Sequence, residues 1–280
     1  MPVWPGRGSD RSACPVSSHI DYHVEPEGHL DSVPYPVVSV PDAGASVLLG
    51  PLIGGVLVDA AAYTNVEGAE DDAERAYLVN ETGPRLLATA AREAELAFVH
   101  VSTDFVFDGR KVGAYVETDE VNPLSVYGAS KLAGERAVAE AYPEALVVRT
   151  AWVFGCGGVN FPTKILELAA TRETLSVVTD EIGSPTYTLD LANGILALVD
   201  AGACGLFHLA GAGSCSRFEM AGEVLRLAGL SRELVPVTAS AFPSKAARPA
   251  NSVLDCSRAA SLGVTMPDWR DALGRFVGER

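Results

Sequence analysis

The sequence predicts an α/β protein: a doubly wound parallel sheet with a smaller substrate lobe toward the C-terminus. Three observations predict it. From Val56 onward, apolar runs of strand length alternate with helix-length patterns. Strands apolar on both faces need helices on both sides of their sheet. Small and polar residues gather where three of the runs end, and ligands of such sheets bind beyond the carboxyl ends of the strands. The chain has 280 residues, more than one core usually holds.

The elements follow in order. Residues 1–55 hold eight of the 17 prolines and no sustained period of 3.6 or 2. PVVSV (36–40) is the best strand candidate there, crowded by Pro34, Pro36 and Pro41. Strand runs then appear at 56–63 (VLVDAAAY), 96–102 (LAFVHVS), 145–155 (ALVVRTAWVFG), 175–180 (LSVVTD) and 205–211 (GLFHLAG). The helical patterns between them are EDDAERAYLVN, PRLLATAAREAE, YGASKLAGERAVAEAY and NFPTKILELAATR. The expected division is an atypical segment over 1–55, a dinucleotide-binding lobe over 56–182 and a mainly substrate-binding lobe over 183–280, with the chain crossing back to the sheet.

A net charge of −15 argues against nucleic acid, whose binders carry a basic face. No stretch reaches the ~18–20 apolar residues of a membrane-spanning helix, and the first residues lack the apolar core of a secretory signal. Five cysteines without a CxxC pair read as free thiols. A cytoplasmic protein is expected. Cys156 has no basic neighbour in sequence and reads as inert. His208, inside an apolar run, reads as a core histidine. The acidic run Glu67, Glu70, Asp71, Asp72, Glu74 reads as a solvated helix start. No metal-ligand spacing is present.

The chemistry concentrates in Tyr127-Gly-Ala-Ser-Lys131. Positions i and i+4 share a helix face, so Tyr127 and Lys131 point at one place. A phenol with its ordinary pKa of about 10 is a poor acid at neutrality. A neighbouring ammonium is expected to lower it, which would suit the phenol to proton exchange with a carbonyl or alcohol oxygen during hydride transfer. Lysine can also hold a ribose hydroxyl of a nicotinamide cofactor. Ser102-Thr103-Asp104, at the end of a buried strand, brings a hydroxyl beside the tyrosine to polarise the reacting oxygen.

STDFVFDG (102–109), Glu117, Asp119, Pro123 and YGASKLAGE (127–135) together resemble the extended short-chain dehydrogenases/reductases, and within them the dTDP-4-dehydrorhamnose reductase family. AAYTNVEGAE (61–70), RTAWVFG (149–155), DEIGSPTYTLDLA (180–192) and ARPANSVLDCS (247–257) agree in order, so the resemblance spans about residues 56–280. It implies a Rossmann-like fold and NAD(P)H-dependent reduction of the 4-keto group of a dTDP-linked deoxysugar. Thr103, Tyr127 and Lys131 would be the catalytic set. Ala61, Ala62, Tyr63 and Ser102 would join Tyr127 and Lys131 around NADPH or NADH. Asp104 and Trp152 would lie by the sugar, though Trp152 reads equally well as a core indole. Asn80 either holds the backbone near the site or caps a helix. Some relatives use magnesium at a subunit contact, for which no ligands are marked here; monomers and homodimers are both usual. The alternatives are another nucleotide-sugar 4-ketoreductase and a non-catalytic binding relative.

One departure stands out. The family opens on a strand and a glycine loop that lets the backbone approach the cofactor pyrophosphate. Here Gly6 and Gly8 follow Pro5 with no strand before them and no helix after. The AAYT motif nevertheless falls at the usual distance from the start. Right length with wrong texture points to a segment read in a shifted frame or a misassembled gene, against the rival of genuine divergence. Either way the sheet is expected to lack its first strands and to expose an edge.

Overall fold

The computed structural model describes residues 55–279, together with two short strands, β1 (Val37–Ser39) and β2 (Ser46–Leu48), which pair antiparallel. β1 falls within the PVVSV candidate. The remainder of the atypical segment, and with it the frame question and the glycines at 6 and 8, lies outside the described residues.

The central sheet has four parallel strands: β3 (Val56–Asp59), β4 (Ala97–Thr103), β5 (Leu146–Thr150) and β10 (Gly205–His208), in the order β10-β5-β4-β3. β3 and β10 are the edge strands among the described residues, and Val58 on β3 is 41 % exposed. The first strand run is shorter than its apolar text: β3 stops at Asp59 and Ala60–Thr64 leave the ladder. α1 (Val66–Ala69), capped by Asn65, and α2 (Ala73–Tyr77) follow. A π-helical turn, Leu78–Thr82, then leads into α3 (Gly83–Glu93). α4 (Val126–Ala141) begins at Ser125, whose hydroxyl accepts from Gly128 N. α3 and α4 bury Leu87, Ala88, Ala91 and Val138 against Phe98 and Val147 of the sheet. The opposite face is covered by α6 (Thr188–Asp200), with Leu191, Ile195 and Leu198 on Val99, Val148 and Phe207. The sheet is thus sandwiched, as its doubly apolar strands require.

The third strand run breaks in two. β5 ends at Thr150, and after a bend at Trp152 the chain enters β6 (Val153–Phe154), which pairs with β9 (Thr186–Tyr187) in another sheet. α5 (Phe161–Thr171) starts on an Asn160–Thr163 capping box. β7 (Thr174–Val178) pairs in parallel not with the central sheet but with β12 (Glu233–Val237). β8 (Ile182–Gly183) pairs with β11 (Cys215–Ser216), which opens α7 (Arg217–Leu227). α8 (Ser257–Ala260) lies against β10, and α9 (Trp269–Gly278) closes a second core of Ile165, Leu175, Met220, Val224, Trp269 and Phe276. The chain therefore leaves the sheet at Trp152, returns through α6 and β10, and leaves again at β11. Burying an ordinary core side chain contributes roughly 1.5–3 kcal/mol, so each of these cores holds its lobe without a disulfide.

Candidate active site

α4 is drawn onto the end of β4 by glycines. A methyl group on Gly128 would collide with the Phe105 carbonyl, and one on Gly134 with the Asn80 carbonyl. Only hydrogen at these positions lets the helix lie this close. Asn80 settles its own alternatives: its Oδ1 accepts from Tyr63 N at 2.8 Å, while its Nδ2 donates to Tyr63 O at 3.2 Å and to Ser130 Oγ at 3.0 Å. It is fully buried and fastens the exit of β3 to α4, holding the backbone rather than capping a helix.

The exit of β4 turns through a 3-10 turn, Asp104–Val106, on which the Thr103 hydroxyl accepts from Phe105 N. The same hydroxyl donates to Asp104 Oδ1 at 3.0 Å and acts on the Tyr127 phenol, whose pKa it lowers. Thr103, Asp104 and Tyr127 thus form one cluster. The phenol is not made more acidic, contrary to expectation. Burial pushes Tyr127 up to about 12, and the Asp104 charge adds to this against the Thr103 hydrogen bond. The reason is where the ammonium goes. Lys131 Nζ donates to Val101 O at 2.7 Å and meets His100 Nε2 at 3.3 Å. Burial lowers Lys131 to about 8, opposed by Asp59 and Glu135.

Ser102 is turned away from the cleft. Its hydroxyl donates to Glu135 Oε1 at 2.5 Å, and Glu135 is gripped bidentately by Arg149 at 2.8 and 2.7 Å, all buried. Such a pair is costly to break by removing one partner. Asp104 is 2 % exposed, and its Oδ2 has no hydrogen-bond partner. Burial raises it to about 6, against the hydroxyls of Ser252 and Thr103 and the charge of Arg217.

Beside Trp152 and Arg217 opens a cavity of about 810 Å³. Phe154, Phe161, Ile165, Leu168 and Val177 give it an apolar wall; Arg217, Arg248 and Lys164 are its cations. Trp152 lines it, with the backbone at φ +46°. Left-handed backbone is uncommon for a bulky residue and concentrates at functional positions. The indole lies on Gly183 and under the Arg217 guanidinium, 3.4 Å from the ring centroid. It is therefore a wall of the cavity that also packs against the hydrophobic core.

The acidic run is not merely a solvated helix start. Glu67 accepts from Ser244 Oγ, Lys245 N and Arg248 Nη2, Asp71 pairs with Lys245, and Glu70 accepts from Val126 N at the head of α4. These partners are distant in sequence, so helix position alone did not reveal them. His208 is buried, its Nδ1 beside Tyr115 O at 3.1 Å, and burial lowers it to about 4, keeping it neutral. Cys156 is exposed and donates to Glu279. No described helix is long and apolar enough to cross a membrane, and no described group of three His, Cys, Asp or Glu side chains could hold a metal ion.

The comparisons with known proteins meet this geometry. The family model described as the RmlD substrate binding domain matches residues 49–280. The chain belongs to the dTDP-4-dehydrorhamnose reductase family. A relative of that name from Mycobacterium tuberculosis is 46 % identical over 228 residues, covering 79 % of this chain and 75 % of its own. Among solved structures, the dTDP-4-dehydrorhamnose reductase of Clostridium acetobutylicum superposes with a TM-score of 0.79 at 38 % identity, over 81 % of each chain. That of Bacillus anthracis, solved in complex with NADP, has a TM-score of 0.79 at 37 % identity, again over 81 % of each chain. The family's fold is that of the central sheet and second lobe described above. Sequence reasoning did not single out Asp59, His100, Gly183, Arg217 or Arg248; Asp59 and His100, polar residues inside apolar runs, carried a signal, and Gly183 and Arg248 lie within segments that carry the family resemblance.

Proposed function

We propose that the chain reduces the 4-keto group of dTDP-4-dehydrorhamnose with NADPH, the nucleotide sugar occupying the cavity and its reacting carbonyl the cluster of Thr103 and Tyr127. The observation that carries this is the junction of the two: Asp104, adjacent to Thr103, feels the charge of Arg217, which lies on Trp152 in the cavity wall. The described residues fit the nicotinamide-ribose half of the cofactor. Ala60 and Ala61 are exposed at the β3 exit and Ala62 partly so, leaving the backbone open to a flat ring, and Lys131 has an N–H remaining for a ribose hydroxyl. No described residue supplies a pyrophosphate loop. When bound, the cofactor supplies hydride.

Tyr127 then donates its proton to the oxygen of the new alcohol. A phenol held at about 12 is protonated throughout the neutral range, the state a donor needs, and the Thr103 hydroxyl shares the developing negative charge. Asp104 orients the sugar hydroxyls. The apolar wall takes the base, and Arg248 and Lys164 lie on the path of the diphosphate. The choice of NADPH over NADH, and of this sugar over another 4-keto deoxysugar, belongs to this reading.

A fluorescence titration of the full chain with NADPH and with NADH tests the cofactor; NADPH oxidation in the presence of dTDP-4-dehydrorhamnose tests the reaction. Tyr127→Phe should lower kcat by about 10²–10⁴-fold while sugar-nucleotide binding persists. A folded chain that binds neither cofactor would refute the reading in favour of a non-catalytic relative.

A further inference from the structure

Beneath Lys131 lies a buried polar chain that the reaction as derived does not use. Asp59 and His100 are directly paired in the parallel register of β3 and β4. His100 Nδ1 lies 2.7 Å from Asp59 Oδ2, and His100 Nε2 lies 3.3 Å from Lys131 Nζ. His100 is 0 % exposed, Asp59 4 % and Lys131 2 %. The spacing is matched across two elements. His100 and Ser102 are two apart on β4 and share one face of the sheet; Lys131 and Glu135 are four apart on α4 and share one face of the helix. His100 therefore meets Lys131 while Ser102 meets Glu135. Gly134 keeps the ground clear, since a methyl there would touch His100 Nε2 as well as the Asn80 carbonyl.

The hydrogen-bond roles follow from the partners. An ionised carboxylate only accepts, so Nδ1 carries the proton and Nε2 of the neutral ring is left as an acceptor. Burial, with the Lys131 charge, lowers the pKa of His100 against the pull of Asp59 and Glu135 and keeps the ring neutral. An ammonium has three donors. The Val101 carbonyl takes one and His100 Nε2 another, which leaves one for the cleft.

We propose that Asp59 and His100 are positioning residues for Lys131: the carboxylate fixes the imidazole as an acceptor, and the imidazole with the Val101 carbonyl aims the remaining N–H of the ammonium at the cleft. The arrangement parallels the carboxylate–histidine pairs that orient metal ligands, with an ammonium in place of the metal. The charged groups facing the site are Asp59 from β3 and Glu135 from α4, the latter paired with Arg149 of β5. Asp59 is thus the first of the two carboxylates that hold the charge on Lys131, ahead of Glu135. The inference rests on the reading of Lys131 as the group that meets the cofactor ribose.

Asp59→Asn keeps an acceptor for Nδ1–H and removes the charge. In the cofactor-free full chain with 13C-labelled lysines, Lys131 should titrate about one unit lower in this variant than in the parent. The alkaline limb of the kcat–pH profile should move down by the same amount. His100→Gln, which can still present an oxygen to Lys131, should keep kcat within about threefold, while His100→Phe, which cannot, should lose at least about tenfold in kcat with little change in KM for the sugar nucleotide. A role in packing alone would lower stability and leave the titration and the limb where they are, and that result would overturn the inference. Lys131→Met separates the two failures. If it turns over normally, the reading of Lys131 is wrong; if it is inactive while Asp59→Asn leaves the Lys131 titration unmoved, only the positioning role is. Should His100→Phe not fold, the Asp59→Asn titration and the His100→Gln kcat decide the matter.

Discussion

Glu67 and Arg248, 181 positions apart, meet at 2.8 Å on the wall of the cavity. The same carboxylate accepts from the Ser244 hydroxyl and from Lys245 N. The first helix after β3 therefore clasps the loop that closes the second lobe. Ser244, and then Arg248, hold Glu67 down at about 2, so the clasp is fully formed above the ordinary carboxylate range and is lost only as pH falls through about 2. Across physiological pH it is constant; salt, not protons, loosens it. Glu67 is about two-fifths exposed, which screens the pair and keeps its contribution to global stability under about 1 kcal/mol. Its effect is local. Glu67→Gln should speed hydrogen exchange over residues 244–248 and raise KM for the sugar nucleotide about threefold to tenfold, with kcat nearly unchanged. Unaltered exchange in that loop would remove the clasp from the account of substrate binding.

Asp104 should be a liability for stability that the site retains for function. Burial raises its pKa to about 6 from an unfolded value near 3.8. The native state therefore binds this proton more tightly than the unfolded chain does. The associated stability is fully present below about pH 4 and is lost as pH rises through about 6. Asp104→Asn keeps the shape without the charge, so above pH 6 the variant should be the more stable protein, by on the order of 3 kcal/mol. The gap should close as pH falls toward 4. Urea unfolding at pH 5 and pH 8 measures it, and a variant weaker than the parent at pH 8 would contradict the burial argument. Turnover should fall in the same variant, since an amide does not replace the carboxylate toward the sugar hydroxyls.

What was legible in the sequence follows physical range. The parallel sheet was legible because burial on both faces writes continuous apolar runs, and α4 because Leu132, Ala137 and Val138 repeat at helical spacing. Tyr127 and Lys131 could be paired for the same reason: four residues of helix set their distance. The left-handed turn at Trp152 was not legible, because no glycine or proline stands at that position and apolar residues continue past it through Val153 and Phe154. Nor was the placement of LSVVTD beside ELVPV, since strand pairing across 59 residues depends on which lobe closes first around which face. The direction of the Tyr127 shift was misjudged for a simple reason. Helical spacing puts Lys131 on the same face, but only the position of His100 and of the Val101 carbonyl shows where its ammonium goes. The clasp of Glu67 and the cations at Arg217 and Arg248 belong to this long-range class as well.

Gly183 has its own consequence for substrate binding. It pairs with Cys215 across β8 and β11, and a methyl group on it would lie within the Trp152 indole, against Cε2, Nε1 and Cδ2. The Arg217 guanidinium stacks on the same indole, and the Trp152 backbone is already at φ +46°. Gly183→Ala should therefore drive the ring toward the cavity. Arg217 would then lose its stacking partner, a contact of roughly 0.5–2 kcal/mol, and the space for the sugar would narrow. KM for the sugar nucleotide should rise about tenfold while NADPH binding, which depends on the other side of Thr103, stays the same. Trp152 fluorescence should shift to the red as the ring moves into water, and the shift should be absent when Gly183→Ala is made on a Trp152→Phe background. If KM rises equally in both backgrounds, the glycine acts through the β8–β11 pairing rather than through the indole.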